Sequence, residues 1–277
     1  MMGASHAATG AFAGLAASAA VTALGGASPD GWTLVGGALV GAGAALVPDL
    51  DHPDSTATRS QGPFTRWLST GVRALSAKVY LATRTRWDRS SDGTHRYLFH
   101  TPACALALGL IVGVTAALWW QVAAVVVWFT LSLALRGLGR CLPAGPARTA
   151  VTSWLGLFGP RRRGGGMLRP ATRYRLVEWA SVSIGAALLT ALLFNAGSHL
   201  AGAPVGAALA LGMIVHVLGD ALTRSAVPLA WPVAVKGQRW RMVGAPRSLR
   251  FSTGSWQEVV IRVVCLAGTP LLGLAVL

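Results

Sequence analysis

The chain reads as an all-α, polytopic integral membrane protein with about seven transmembrane helices. Three observations predict this. Of 277 residues, 53% are hydrophobic and only 12% charged, against about 25% charged in soluble domains, and the mean hydropathy is +0.54. Seven stretches, at 7–26, 31–48, 101–119, 121–138, 176–194, 202–222 and 259–277, approach the ~20 apolar residues that a bilayer requires. Finally, Lys and Arg occur in only three of the connections between those stretches.

The first stretch lacks the basic n-region of a signal peptide and is expected to be a retained helix. Glycine (34 residues) and alanine fill the spans, as expected where helices approach closely without a hydrophobic force between them. The 24 basic residues fall between Arg59 and Arg96, between Arg136 and Arg175, and between Arg224 and Arg262. Connections 27–30 and 195–201, the Trp119–Gln121 turn and the C-terminal end carry none. Seven spans make the two sets alternate. The positive-inside rule then puts the N-terminus and the basic loops, about 53–99, 136–175 and 224–257, in the cytoplasm. The net charge of +15 is accounted for by this topology rather than by nucleic acid. Residues 1–277 read as a single membrane-embedded domain.

In the first basic loop Phe64, Trp67, Leu68, Val72, Leu75 and Val79 recur at helical spacing, with Arg66, Arg73 and Lys78 on other faces. This predicts an amphipathic helix, either on the cytoplasmic leaflet or packed on the protein. Arg161–Arg163 followed by Gly164–Gly166 reads as a flexible basic loop near anionic headgroups. Cys104, Cys141 and Cys265 have no metal or redox spacing and read as packing residues. Neither a Gly-x-Ser-x-Gly elbow nor a P-loop occurs.

The polar residues of the spans converge. His6 begins the first span; Asp49, Asp51 and His52 end the second; His95 and His100 precede the third. His216 and Asp220, spaced i, i+4 on one helical face, lie near the end of the sixth. In the predicted topology all lie at the cytoplasmic boundary, and His199 alone among the six histidines is opposite. Ionisable groups at such depth are costly and mark function. Carboxylates and imidazoles together suit a divalent cation. His6, Asp49, Asp51, His52, His100, His216 and Asp220 exceed the four ligands of one zinc. Two ions, or one ion with orienting groups behind its ligands, both satisfy the count.

The pattern Gly3-x-x-His6, then Val47-Pro48-Asp49-Leu50-Asp51-His52-Pro53-x-Ser55, then His95-Arg96-x-x-x-His100-Thr101, resembles the YdjM-like family of membrane-bound metal-dependent hydrolases, which has LexA-regulated members. His216–Thr223, Val227–Pro232 and Arg239–Arg241 resemble its later signature. The resemblance implies that the seven residues above form a metal and active site, and a distant kinship to zinc-dependent phospholipase C and S1-type nucleases. The chain departs from the family pattern at Tyr97, Phe99 and Arg224, and in a longer 53–94 stretch.

The expected activity is hydrolysis of a phosphoester or lipid-linked substrate at the cytoplasmic leaflet of the inner membrane, with zinc as the metal and manganese or magnesium as alternatives. Anionic phospholipid or a lipid phosphate would be the partner. Asp51 or His95 would take a proton and Arg96 would neutralise an anionic oxygen. Glu178 would either join the site or pair with Arg175. The competing readings are a metal-ion or solute transporter, and a scaffold with a structural metal.

Overall fold

The computed structural model describes residues 1–158 and 170–277, so the predicted loop Arg161–Gly166 lies outside the described residues. Among the described residues the chain is helical, with no β-strand. In order the helices are α1 (Gly3–Leu24), α2 (Gly31–Ala44), α3 (Pro63–Thr83), α4 (Pro102–Leu118), α5 (Trp120–Gly139), α6 (Pro146–Thr152), α7 (Leu155–Phe158), α8 (Pro170–Asn195), α9 (Ala203–Leu222) and α10 (Trp256–Val276).

Six of these, α1, α2 with its following turn, α5, α8, α9 and α10, are long and apolar enough to cross a membrane. The predicted third span is α4, apolar but shorter at 17 residues. Trp119 alone, in extended backbone, separates α4 from α5. Trp119 and Trp120 are both exposed, as in the aromatic belt where helices leave a bilayer.

Two boundaries moved from those the apolar runs predict. α2 ends at Ala44 because the chain tightens into a 3-10 turn at Pro48–Asp51, where proline has no N–H to continue the ladder. α8 begins at Pro170 rather than 176, because its first turns carry Arg173 and Arg175 and fall outside an apolar window.

α9 is the centre of the bundle. It packs against α4 on one side and against α1 and α2 on the other; α5 covers α2, α8 covers α5 and α10 covers α1. Glycine sets the closest crossings. A Cβ on Gly10 would lie 2.3 Å from the Gly41 carbonyl oxygen, and one on Gly212 would lie 2.6 Å from that same oxygen. Gly41 is therefore where α1, α2 and α9 meet backbone to backbone, as small residues allow in membrane helices.

α3 lies outside the bundle, over the Pro48–Asp51 turn. Its buried face is Thr65, Ser69, Val72, Ser76 and Tyr80, so of the predicted apolar stripe Val72 is buried and Leu68 and Val79 pack partly against the core. The hydroxyls satisfy loop backbone: Thr65 Oγ1 donates to the Thr58 carbonyl at 2.8 Å and Ser76 Oγ to the Gly93 carbonyl at 2.6 Å. Thus both loops that flank the polar cluster hang from α3. Phe64, Trp67, Leu75 and Leu81 remain exposed on its other side, so the helix packs on the protein and also keeps an apolar outer face.

Gly41→Val should push α1 off α2 and cost about 3 kcal/mol by overpacking. Gly31→Ala, which meets nothing within 4 Å, should leave stability unchanged. Thermal melting of both variants in one detergent checks this; equal melting temperatures would contradict the close crossing.

Candidate metal centre

Four separate chain segments deliver the polar cluster to one end of the bundle. His6 sits one turn inside α1. His216 and Asp220 lie one turn apart on α9, with Nε2 of the first 3.9 Å from Oδ2 of the second. The Pro48–Asp51 turn aims its two carboxylates in different directions. His100 ends a second 3-10 turn, Leu98–His100, directly before α4. There Thr101 caps the helix, its Oγ1 accepting from the Cys104 N–H at 3.1 Å, with proline in the first turn.

His216 fixes the chemistry. Its Nδ1 is 2.7 Å from the Ala45 carbonyl oxygen, exposed by the early end of α2. A carbonyl only accepts, so Nδ1 carries the proton and Nε2 presents a lone pair. That Nε2 faces His100 Nε2 at 3.2 Å, with Asp49 Oδ1 at 3.8 Å. His100 is approached from behind by a carboxylate, its Nδ1 lying at ion-pair distance, 3.2 Å, from Asp51 Oδ2. Its Nε2 therefore points inward too, 3.7 Å from Asp220 Oδ2. His6 stacks on His216 with ring centroids 3.8 Å apart and brings Nε2 to 3.3 Å from Asp220 Oδ1.

Two groups of ligand atoms result, His6–His216–Asp220 and Asp49–His100–His216, each within 4.8 Å. They share His216. Asp220 spans both, Oδ1 toward His6 and Oδ2 toward His100. Two bare imidazole nitrogens at hydrogen-bond distance repel unless a proton or a cation lies between them or beside them. The donor set, imidazole with carboxylate, is the one that divalent zinc takes. Burial alone would push the His100 imidazole down; the carboxylates of Asp51, Asp220 and Asp49 outweigh it and hold the ring above the usual histidine value.

The positive charge already present among the described residues is small. The Met1 α-ammonium lies 2.8 Å from Asp220 Oδ1, and Arg96 Nη2 lies 3.8 Å from Asp220 Oδ2. Histidines and three carboxylates are otherwise left with one another. The cluster is not closed: the side chains of Asp49, His95 and Arg96 are 24%, 34% and 34% exposed, while those of His100 and His216 are fully buried.

The residues singled out in the sequence divide into three positions. His6, Asp49, His100, His216 and Asp220 form the ring of converging atoms. Asp51 stands behind it, its oxygens engaged by His95 Nδ1 at 2.7 Å, the Arg96 N–H at 2.8 Å and His100. Arg96 reaches that position through a left-handed backbone (φ 64°), a strained conformation for a residue other than glycine. His52 is not among the converging atoms: its Nδ1 accepts from the Asp54 N–H at 3.2 Å and its ring edges against His95.

Glu178 pairs with Arg136 at 3.2 Å. The sequence-expected pair with Arg175 is not formed, because Arg136 faces Glu178 from the neighbouring α5. Tyr97 and Phe99, the departures from the family pattern, are both buried, and Tyr97 packs on Tyr80 and Trp240. Both belong to the hydrophobic core. The Ala45 carbonyl went unnoticed in the sequence, having no side-chain signal. Glu258 also went unnoticed; it is fully buried and accepts from the Met2 and Gly254 N–H groups, anchoring α1 to α10. A lone acid at the start of an apolar span was its signal.

No curated protein and no solved structure matches the chain. The family model described as YdjM inner membrane protein matches residues 1–140. That half carries His6, Asp49, Asp51, His95, Arg96 and His100; His216 and Asp220 join them only through the fold. With half of its length matched and its helices apolar enough to cross a membrane several times, the chain belongs to the YdjM inner membrane protein family.

Proposed function

We propose that this protein is a membrane-bound, metal-dependent hydrolase acting on a phosphoester, with a lipid-linked substrate reached from the cytoplasmic leaflet. The observation that carries the reading is the facing pair of imidazole nitrogens at 3.2 Å, set among buried carboxylates. His6, Asp49, His100, His216 and Asp220 would hold the cation or pair of cations, zinc by donor type. A divalent ion there supplies Lewis acidity, polarising a phosphoryl oxygen and making water acidic enough to yield hydroxide near pH ~7.

The chain's own residues divide the remaining work. Asp51 is a positioning residue: it holds the tautomer and direction of His100, as carboxylates behind metal-binding histidines do. It also holds His95, whose Nδ1–H donates to Asp51 so that Nε2 stays free to take or give a proton at the open side. The proton acceptor is thus His95, with Asp51 behind it. Arg96 extends from the same turn to within 3.8 Å of Asp220, where its guanidinium can bind phosphoryl oxygens in a planar fork. The opening by Asp49, His95 and Arg96 suits a catalytic site better than a closed structural one. Clustering at one end of the bundle, rather than at mid-depth, speaks against a permeation path.

The N-terminus and the basic loops would face the cytoplasm. In a cysteine-free background, an impermeant thiol reagent applied from outside should label cysteines placed at Ser28 or His199 and spare one at Ser252. The opposite pattern would move the cluster to the other face.

Purified protein should contain stoichiometric zinc or manganese. Chelation should lower the melting temperature, since an ion at one hundred times its Kd stabilises by about 2.7 kcal/mol. Asp49→Ala/Asp220→Ala should purify without metal and ignore the chelator. A wild-type protein that is metal-free and insensitive to chelator and added ions would end this reading.

Turnover should be assayed in mixed micelles on phospholipids, isoprenoid phosphates and a soluble phosphodiester. His216→Ala should abolish it, and Asp51→Asn should reduce it about 10–100-fold by misdirecting His100. His52→Ala should change it least. Turnover of uncharged esters alone, or turnover unaffected in His216→Ala, would contradict the assignment.

A further inference from the structure

A second polar site lies outside the metal cluster. A cavity of 580 Å³ opens between α3, α5, α8 and the loop that follows Asp51. Six arginines line it: Arg59, Arg66, Arg73, Arg136, Arg140 and Arg175. Only two carboxylates, Asp54 and Glu178, are in the lining, which leaves an excess of four formal positive charges. Asp54 pairs with Arg59, and Glu178 with Arg136. Arg66 and Arg175 form no ion pair among the described residues, while Arg73 and Arg140 feel Asp92 and Glu178 only at longer range.

Positive-inside topology explains arginines near a membrane but not their convergence from three helices and a loop on one concavity. Like charges repel there, and bringing them together costs free energy. Arg136 makes the cavity a built site rather than a basic surface. Its side chain is 7% exposed, and its Nε is buried with no hydrogen-bond partner. Arg73 Nε is buried and unpartnered too. A guanidinium buried with a free donor is expensive unless an acceptor arrives. Arginine's fork matches phosphate oxygens in particular.

We propose that this cavity binds a phosphate-bearing anion of two or more charges, either a lipid headgroup or a free phosphate. The site uses none of the five converging metal-cluster residues, and it stands or falls independently of the hydrolase reading.

The test is calorimetric titration of the full chain in neutral detergent micelles with sodium pyrophosphate, dihexanoyl phosphatidic acid and dihexanoyl phosphatidylcholine. One or both anions should bind at one per chain, and the choline lipid should not. Phosphatidic acid alone would assign a lipid headgroup; pyrophosphate alone would assign a free phosphate. Arg66→Gln/Arg73→Gln, at exposed or half-buried positions on α3, should weaken binding about tenfold or more. Arg136→Gln should do the same, with its melting temperature recorded as a check on folding. His216→Ala should bind as wild type does. Absence of binding by both anions, equal binding of the choline lipid, or unchanged affinity in Arg66→Gln/Arg73→Gln would overturn the proposal. So would loss of binding in His216→Ala alone, which would place the anion in the metal cluster.

Discussion

The whole arrangement depends on three helices meeting at one glycine. Gly41 and Gly10 let α1 lie on α2, and Gly212 lets α9 approach the Gly41 carbonyl, at distances that a side chain at those positions would forbid. Because the crossing is so close, the ends of these helices emerge within one side chain's reach of each other. His6, Asp49, His216 and Asp220 can then converge although they come from three elements and span more than two hundred residues. α4 completes the set by packing on α9 through its own glycine contact, Gly109 against Gly206, which brings His100 in from the opposite side. Dispersion between small residues and the absence of water in the apolar phase hold this together. The polar cluster adds no obvious stability of its own without a cation, since buried like charges oppose one another.

Around that crossing, the polar residues act in two layers. The inner layer offers lone pairs: imidazole Nε2 atoms and carboxylate oxygens. The outer layer decides where those lone pairs point. The Ala45 carbonyl orients His216, and Asp51 orients His100 and His95 together. α3 supports the outer layer in turn, since its buried hydroxyls hold the loops that carry Asp51 and His95. A change on α3 far from any ligand is thereby linked to the direction of a histidine. Preorganisation of this kind separates a working site from a mere collection of polar residues.

The fold was largely legible in the sequence because apolar length is a direct physical signal. Spans were located to within a few residues, with the largest errors where polar first turns extend a helix, as in α8, and where proline ends one early, as in α2. The residues of the candidate cluster were legible too, since a charged residue in an apolar run stands out. Where each of them points was less so. Asp49 and Asp51 look equivalent in sequence, and only the tight turn at Pro48 sends one inward and the other behind His100. The partner of Glu178 depends on which face of α5 meets α8. On α3 the buried side mixes Thr65, Ser69 and Ser76 with Val72 and Tyr80, because it covers loop backbone as well as the apolar core. Tyr97 and Phe99 looked like changes to the site, but both are buried in the hydrophobic core, Tyr97 against Tyr80 and Trp240.

The central claim is that converging imidazole and carboxylate groups at one end of the bundle hold a divalent cation. X-ray absorption at the metal edge of the purified protein tests it most directly, because the ligand types are read without reference to any activity. The account predicts a first shell of nitrogen and oxygen only, at about 2.0–2.2 Å for zinc, with the outer scattering of imidazole rings and its loss in Asp49→Ala/Asp220→Ala. A sulfur shell at about 2.3 Å, which would implicate the cysteines, or a spectrum unchanged in that variant would contradict it.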